Sequence, residues 1–539
     1  MQEFTRTERF LSLFTTLRAG EGQAAYRLCL QSFLIVLSYY LLKVIREPLI
    51  LADGTAELRA YTTAMQALLL MLIVPVFARL YQSASSRAEK YHLLRNTLLF
   101  FLANLLLFAL AYQLGWRIAI AFYVWLGIFS VMVLAVFWAF AADLFNLKSG
   151  QRIFPLIAAA SSLGALLGSA SAGWLYLRLG ADGVMCCAAL LLFIPWWLCS
   201  KTESCVPGDS RSHVHSPPDS KPYPVLEGFR IVFRNHYLTL IAGFVILLNL
   251  INTNGEYIVA SFVTDHAHSE AVSADAVDAY IAVFYSQYLF ATTLLSFLIQ
   301  LFLVSRIYDR LGIEGALYIL PVLMVLNYSA IALFPLLVVA RAAMVLENSV
   351  YYSLENTTRH ALFLPVSRQE KYIGKHTIDT FFFRLGDVLS GTFVYLASIV
   401  IGLGLVGFVI INIVLAFALL LMSAAIGREH RAAAQENLSN KPPVLTLPLE
   451  DLVIETGQTT HLSLEPDVFV DDDVGDALSY KAYLFHARRL PTWIKFDDLN
   501  RSFTFNPPPA AGGSLRIRVV ARDYDGLEAE SSFTLSWGG

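Results

Sequence analysis

Charged side chains on one face of the first apolar segment are the first candidates for chemistry in this sequence. In SYYLLKVIREPLILAD, Tyr39, Lys43, Arg46 and Glu47 stand at offsets 0, 4, 7 and 8, which places them on one face of a helix. A charged side chain inside an apolar helix costs a few kcal/mol on insertion scales, so each one needs a reason. Two neighbouring cations suit an anionic substrate; the alternative is that Lys43 extends its stem toward the membrane edge.

Two later apolar segments carry similar polar stripes. Their members are Asn249, Asn252 and Glu256 in the first, and Arg341, Glu347, Asn348 and Glu355 in the second. Such a stripe either binds a solute or locks the helices together through interhelical hydrogen bonds worth about 1 kcal/mol each. Both interpretations stay open for the charged members, and the structural one is favoured for any single asparagine.

The segment GKHTIDTFFFRLGD adds two pairs of opposite charge. Lys375 and Asp379 are four residues apart, and Arg384 and Asp387 are three apart, as salt-bridged pairs on a helix are. Lys375 also fits a cytoplasmic loop, but Arg384 lies nine residues further on, about 13 Å along a helix. FWAFAADLF adds Asp143 near a helix end.

These embedded charges are nearly balanced, so most can pair in the empty protein and exchange partners between two states. We predict a substrate-binding role for Tyr39, Lys43, Arg46, Asn252, Glu256, Arg341, Asn348, Lys375 and Arg384. We predict a coupling or gating role for Glu47, Asp143, Glu355, Asp379 and Asp387.

The composition indicates the kind of protein in which these residues are placed. Of 539 residues, 56% are hydrophobic and only 15% are charged, with a mean hydropathy of +0.57; a soluble chain carries roughly 25% charged residues. The chain is therefore a membrane protein in contact with the lipid bilayer. A net charge of −3 gives no support for a nucleic-acid partner, and the five cysteines, all before residue 206, have no metal-type spacing.

The apolar runs predict twelve transmembrane helices in two halves, residues 28–200 and 235–426, separated by a polar, proline-rich linker over 201–234. The predicted spans are 28–52, 60–82, 93–114, 117–144, 152–179, 182–200, 235–264, 277–305, 312–333, 335–358, 376–401 and 403–426. Six helices, a linker and six helices are typical of the all-α major facilitator fold, with a site between the halves.

The loop charges predict the orientation. Lys and Arg number 21 in the N-terminal segment 1–27, the linker and alternate loops, against three (Arg59, Arg117 and Arg178) in the other loops. By the positive-inside rule both termini of the membrane domain are cytoplasmic. We expect a multi-pass protein of the bacterial inner membrane.

The chain beyond a short linker at 427–442 has a different composition. Residues 443–539 carry 15 acidic and 8 basic side chains and alternate as strands do, for example in RIRVV. About a hundred residues of short strands predict a β-sandwich. VFVDDDVGDALSY, LPTWIKFD and VVARDYDGLEAESSFTL resemble a dystroglycan-type cadherin-like domain, for which a protein or carbohydrate partner is conceivable.

Acidic residues in this domain are weak calcium candidates. They are Asp471, Asp473, Asp476, Asp523 and Asp525. Carboxylate oxygens are calcium ligands, but acidic turns are more often simply solvated, and a cytoplasmic location disfavours calcium. We expect no cofactor.

The membrane part resembles the nucleotide (ATP/ADP) translocase family of the major facilitator superfamily. The similar stretches are SYYLLKVIREPLILAD, VFWAFAADLFNLKSGQRIFPLIAAASSLGALLGS, INTNGEYIVASFV and ALFLPVSRQEKYIGKHTIDTFFFRLGDVLSG. The resemblance implies exchange or import of nucleotides without hydrolysis. It also implies that Lys43 or Arg46, Asp143, Glu256 and Lys375 matter for transport.

Three functions are compatible with the sequence. The first is secondary active transport of an anionic metabolite, above all a nucleotide. The second is proton-coupled symport of a non-nucleotide solute, with Glu256, Asp379 or Asp387 as the proton site. The third is a sensor or scaffold that acts through the C-terminal domain. An enzyme is not expected, because the sequence contains no phosphate-binding G-x-x-x-x-G-K-[ST] motif, triad or metal cluster.

Overall fold

The structure, a computed structural model, describes residues 22–538 apart from several gaps. The gaps are 53, 84–86, 146, 204–224, 271–272, 367–369, 439–441, 466, 472–477, 486–488, 499, 509–511 and 524–525. The chain divides into a helical unit, which runs to Leu362 and from Ile373 to Arg428, and a second unit, which comprises Phe363–Tyr372 and the chain from Glu429 and contains the described β-strands.

The helical unit is built from long apolar helices. In chain order they are α1 Gly22–Ala52, α2 Ala56–Ser83, α3 Arg87–Gln113, α4 Ala119–Leu144, α5 Leu147–Glu203, α6 Val225–Arg234, α7 His236–Glu270, α8 Ala274–Phe302 and α9 Val304–Leu333. Three more follow, namely α10 at 337–361, α11 at 370–401 and α12 Leu405–Leu438. Helix α10 contains a π-helical turn at Tyr351–Glu355, and α11 alternates α- and π-helical stretches.

Within the described residues, ten segments are long and apolar enough to cross a membrane. One of them, Arg152–Cys199, has 48 residues, twice the length that one crossing needs. It reverses at Gly180, whose φ of +70° is accessible to glycine at little cost. With this double crossing and α10, the helices make twelve crossings, and the predicted twelve-helix fold is confirmed.

Three predicted boundaries differ from those observed. Helix α1 begins at Gly22 rather than at 28, and the predicted linker 201–234 contains helix α6. Helix α12 continues to Leu438, through much of the predicted linker 427–442. The run AAAQE in its last turns consists of strong helix formers. The loss of hydrophobicity after residue 426 marks the end of the membrane span, whereas the helix itself continues.

A close contact between α1 and α5 organises the first half. A Cβ atom at Gly164 would lie 2.4 Å from the Phe33 carbonyl oxygen, and one at Gly168 would lie 2.7 Å from the Leu37 carbonyl oxygen. The absence of these Cβ atoms lets the two backbones touch. Gly164 and Gly168 thus form a small-xxx-small face that packs the two helices against each other.

The two halves contact each other at several helix pairs, among them α5 with α8 and α2 with α11. Helices α5 and α8 meet where the Ser286 hydroxyl donates to the Ser169 carbonyl oxygen at 2.6 Å and accepts from the Gly173 N–H at 3.1 Å. Helices α2 and α11 meet where the rings of Tyr61 and Tyr395 lie 5.9 Å apart. Both contacts lie toward the end of the bundle where α1 ends and α2 begins. We call it the far end, and the opposite end, where α1 begins and α7 begins, the linker end.

The second unit is a β-sandwich. Its strands are β1 Val444–Leu445, β2 Leu452–Ile454, β3 Thr460–Ser463, β4 Phe469–Val470, β5 Ser479–Leu484, β6 Ile494–Asp497, β7 Ser502–Phe505, β8 Gly513–Arg522 and β9 Glu528–Trp537. A four-stranded sheet of order β2-β9-β8-β5 faces a three-stranded sheet of order β3-β7-β6, and β1 pairs with β4.

Alternation along β8 explains the sandwich. Ile517, Val519 and Ala521 are buried in the core, whereas Arg518 between them is half-buried and Arg516 and Arg522 at the two ends of this stretch are exposed. In the core the ring of Phe503 from the smaller sheet lies 5.7 Å from Phe533 of the larger one. The predicted β-sandwich is confirmed.

Gly164→Ala tests the α1–α5 contact. We expect the substitution to lower the stability of the purified protein by about 1–3 kcal/mol, because the new Cβ meets a backbone oxygen that cannot move alone. The measurement is thermal unfolding in detergent. Gly404→Ala is the matched control, since a Cβ at Gly404 would meet nothing within 4 Å. Equal melting temperatures for the two variants would contradict the packing role.

Candidate functional site

A polar cavity lies between the two halves of the helical unit. Helices α1 and α2 of the first half and α7, α8 and α10 of the second form its walls. The lining residues are Lys43, Arg46, Glu47, Arg59, Glu256, Val259, Tyr285, Tyr288, Leu289, Thr292, Asn348 and Tyr352. Its water-accessible volume of about 30 Å³ has room for about two water molecules, so this state is nearly closed around the site.

Ion pairs centred on Glu47 and Arg59 join the two halves across this cavity. The Glu47 carboxylate accepts hydrogen bonds from its neighbour Arg46 and, at 2.7 Å, from Arg59 Nε. Arg59 Nη2 donates to Glu256 Oε2 on α7 at 2.9 Å. The side chains of Arg59 and Glu47 are only 4% and 2% exposed, against 30% for Glu256.

Arg59 is a charged residue of the candidate site that the sequence analysis did not predict. The cavity is also lined by four uncharged polar residues that were not predicted as site residues, namely Tyr285, Tyr288, Thr292 and Tyr352. We assigned Arg59 to a loop, because it follows Asp53 and Gly54 and opens a predicted span only one residue later. The structure places it in the first turn of α2, buried beneath the far end. The signal was the run AELRAYTTA, in which an acidic first turn already belongs to a helix. With Arg59 placed in a helix, Lys and Arg are still far more numerous in the predicted cytoplasmic loops than in the other loops.

Lys43 is the exception to this pairing. Its Nζ lies 5.6 Å from the ring centre of Tyr40 and 5.9 Å from that of Tyr352. Among the described residues, no carboxylate lies within ion-pair distance of it and no hydrogen bond is made by it. Arg46, in contrast, has Glu47 and also stacks 4.1 Å from the ring centre of Tyr123. Lys43 is thus a cation in a polar cavity that still lacks a counter-charge.

Three buried polar atoms in the cavity wall also lack partners among the described residues. They are the hydroxyls of Tyr285 and Thr292 and the amide oxygen of Asn348. The amide nitrogen of Asn348 donates to the Tyr288 hydroxyl at 2.5 Å, so this side chain is held in place with its oxygen free. Fixed, unsatisfied donors and acceptors around a cation are what a polar ligand requires.

The structure brings only part of the predicted site together. Lys43, Arg46, Glu47, Glu256 and Asn348 line the cavity. The remaining predicted residues lie elsewhere.

Arg341 and Asn252 lie outside this lining. Arg341 donates to Gln287 at 3.1 Å and faces a separate cavity nearer the far end. Asn252 is buried in α7, and its amide oxygen has no partner within the described part of the chain. Tyr39 lines a second cavity, described below.

The charges of α11 form contacts within the second half. Arg384 and Asp387 pair at 3.5 Å, as predicted, and Asp387 also accepts from Asn249 at 2.7 Å and Thr253 at 2.9 Å. This network matches the structural interpretation of the asparagine stripe.

Four more predicted residues lie toward the linker end, namely Lys375 of the substrate-binding set and Asp143, Glu355 and Asp379 of the coupling set. Asp379 lies 3.9 Å from Arg359 of α10, and Lys375 lies at the linker end of α11. Asp143 is half-buried in the last turn of α4. Glu355 is 2% exposed in the π-helical turn of α10, and neither of its carboxylate oxygens has a hydrogen-bond partner among the described residues.

A second cavity of about 510 Å³ lies on the linker-end side of Lys43. It is bounded by both halves, through α1, α4 and α5 on one side and α8 and α10 on the other. We call it the vestibule. The two halves are therefore sealed by direct contacts at the far end and separated by space toward the linker end. With the predicted orientation, this is a state that faces the cytoplasm.

The calcium candidates receive no support from the described residues. Asp523 Oδ1 accepts from the N–H groups of Gly526 at 2.6 Å and Leu527 at 2.7 Å, which is the role of a turn-capping side chain. Asp473, Asp476 and Asp525 lie outside the residues that the structure describes. In the described part of the chain no three His, Cys, Asp or Glu residues form a metal-binding group.

Comparisons with known proteins agree with the fold. The nucleoside transporter NupG has a TM-score of 0.54 at 13% identity, covering 76% of this chain and 99% of its own. An auto-inhibited POT family peptide transporter has a TM-score of 0.52 at 13% identity, covering 76% and 97%. A bacterial homolog of the human lysosomal transporter Spinster, in an inward-facing state, has a TM-score of 0.51 at 12% identity, covering 78% and 99%.

These identities establish the fold alone, a major facilitator-like transporter fold. A family model described as a putative Ig domain matches residues 442–538. No curated protein matches the chain in sequence. The finer predictions, a nucleotide translocase and a cadherin-like domain, stay predictions.

Arg59→Gln tests the ion pairs that join the halves. Removing one member of a buried ion pair costs about 3–5 kcal/mol. In Arg59→Gln this cost destabilises the state with the closed far end, so we expect the far end to open. Spin labels at Arg117 and Ser273, both exposed at the far end of different halves, would report a longer distance in double electron–electron resonance on a cysteine-free background.

Arg178→Gln is the matched control, since Arg178 is an exposed far-end arginine. Arg59→Lys should give an intermediate result, because a lysine lacks the fork that reaches two carboxylates. An unchanged distance distribution in Arg59→Gln would show that the ion pairs do not hold the far end closed.

Proposed function

We propose that this membrane protein is a secondary transporter of a small anionic metabolite, with a nucleotide as the first candidate, and that it works by alternating access. The observation that carries the proposal is Lys43, a cation in the cavity between the halves without a carboxylate partner among the described residues. Lys43 is half-buried, and a cation partly removed from water is stabilised by a counter-charge. In a transporter fold the missing partner at a central cavity is the transported anion.

The surrounding residues support separate roles in this mechanism. Lys43 and the free amide oxygen of Asn348 contact the substrate. Arg46, which is paired with Glu47, lines the cavity beside Lys43 and orients the substrate. Arg59 and Glu256 close the far end while the substrate exchanges with the linker end. We place both termini in the cytoplasm of a bacterial cell, so that the vestibule opens inward.

Lys43→Gln tests the substrate role. We expect at least a tenfold loss of nucleotide uptake into proteoliposomes and loss of the nucleotide-induced rise in melting temperature, since a charge-assisted contact contributes about 1.5–3 kcal/mol. Lys43→Arg should retain part of both. Lys495→Gln, an exposed lysine of β6, is the matched control. Normal uptake by Lys43→Gln would exclude this binding site.

Glu355 favours a second candidate, transport coupled to protons. It is fully enclosed, and its carboxylate oxygens have no hydrogen-bond partner in the part of the chain that the structure describes. The titratable groups near it are Tyr308 of α9 and Tyr351 and Arg359 of α10. Burial without hydrogen bonds disfavours a charged carboxylate, so this site suits a proton that is released when the helix moves.

Glu355→Gln separates the two candidates, because glutamine resembles the neutral acid in shape. If protons couple through Glu355, the variant should lose accumulation driven by a pH gradient but keep substrate exchange. Glu270→Gln, at an exposed glutamate that ends α7, should keep both. Accumulation that still follows the pH gradient in Glu355→Gln would remove Glu355 from the mechanism.

A further inference from the structure

The vestibule is large enough to bind a small molecule, and its described lining carries no charged side chain. Its volume of about 510 Å³ lies within the range of small-molecule sites. Within the described residues, every side chain that lines it is neutral. An anionic group therefore meets no counter-charge from the described lining, which favours an uncharged part of a ligand in the vestibule.

The walls of the vestibule present rings and free hydroxyl groups. Tyr39, Tyr40 and Tyr352 supply three aromatic rings, and Thr293 and Ser296 supply hydroxyls from α8. The hydroxyl groups of all five residues have no hydrogen-bond partner among the described residues. Aromatic faces with polar edges suit a flat ring that stacks and accepts or donates hydrogen bonds.

Lys43 stands where the vestibule meets the central cavity. The two rings nearest its Nζ, those of Tyr40 and Tyr352, both line the vestibule, and Tyr352 lines both cavities. An anionic group at Lys43 and a ring between the tyrosines are thus within the span of one small molecule.

The charge balance of the central cavity limits the anionic group. Three cations, Lys43, Arg46 and Arg59, share the cavity with two carboxylates, Glu47 and Glu256. The surplus is one positive charge. A carboxylate carries one negative charge, which this surplus balances, and a phosphomonoester carries about −1.5 to −2, of which the surplus balances between about half and two thirds. Each further phosphate would add negative charge that no free cation in the described cavity wall meets.

We propose that the substrate carries a single phosphate or carboxylate, bound at Lys43, and an uncharged planar ring, bound in the vestibule; a nucleoside monophosphate has this chemistry and a nucleoside triphosphate does not. This inference rests on the proposed function and narrows it. Lys43 selects the anion, and Tyr39 acts as a specificity residue for the ring.

Calorimetric titration of the full-length protein in detergent tests the inference with five probes. The probes are adenosine monophosphate, adenosine triphosphate, adenosine, ribose 5-phosphate and indole-3-acetate. We expect the monophosphate to bind at least tenfold more tightly than the triphosphate, than adenosine, which lacks the anion, and than ribose 5-phosphate, which lacks the ring. Indole-3-acetate binding more tightly than the monophosphate would identify a carboxylate as the anionic group.

Two variants locate the parts of the ligand. Tyr39→Leu should weaken the monophosphate about tenfold and leave ribose 5-phosphate unchanged, whereas Lys43→Gln should weaken both. Tyr39→Phe, which removes only the hydroxyl group, keeps the test valid if Tyr39→Leu fails to fold, and it should weaken the monophosphate by a smaller factor than Tyr39→Leu.

The possible failures are distinguishable. Tighter binding of the triphosphate, still dependent on Lys43, would overturn the single-anion inference and leave the proposed function intact. Equal binding of ribose 5-phosphate and the monophosphate, with no effect of either Tyr39 variant, would overturn the ring site. Binding by no anionic probe in the folded protein would overturn both the inference and the nucleotide proposal.

Discussion

The membrane part of this protein depends on one constraint, which is that a charge buried between apolar helices needs a partner of opposite charge. Arg59 meets it by pairing with Glu47 of its own half and Glu256 of the other half. Because one partner belongs to each half, the pair of Arg59 with Glu256 joins the halves while the far end is closed. In the proposed transporter, opening the far end breaks this pair and leaves Arg59 with Glu47, so the two states differ by one ion pair rather than by a bare cation.

Lys43 differs from Arg59 because its contacts are weaker than the cost of removing its charge from water. Its contacts with Tyr40 and Tyr352 are cation–π interactions, worth about 0.5–2 kcal/mol. Full removal of an ammonium group from water costs several kcal/mol, and the half-buried Lys43 bears part of this cost. The rings therefore reduce the deficit without removing it. The empty site retains an attraction for an anion that its own residues do not satisfy, and this distinguishes a substrate site from a structural ion pair.

Sequence patterns predicted those features that a single helix determines by itself. Apolar length predicted the twelve crossings, and helical spacing placed Lys43, Arg46 and Glu47 on one face. Contacts between helices were out of reach, because a single sequence does not state which helices are neighbours. Arg341 was grouped with Lys43 by charge, yet it faces another cavity near the far end. Arg59 was missed because a helix that begins before its apolar run looks like a loop.

Glu47 connects the substrate site to the closure of the far end. It accepts from both Arg46, which lines the cavity beside Lys43, and Arg59, which holds Glu256. In the proposed transporter, an anion bound at Lys43 also attracts Arg46 and so competes with Glu47 for it. Glu47 then strengthens its pairing with Arg59, and Arg59 depends less on Glu256. A ligand shifts a conformational equilibrium only through such differential contacts. Substrate binding thereby weakens the bond that crosses between the halves, which is the coupling that alternating access requires.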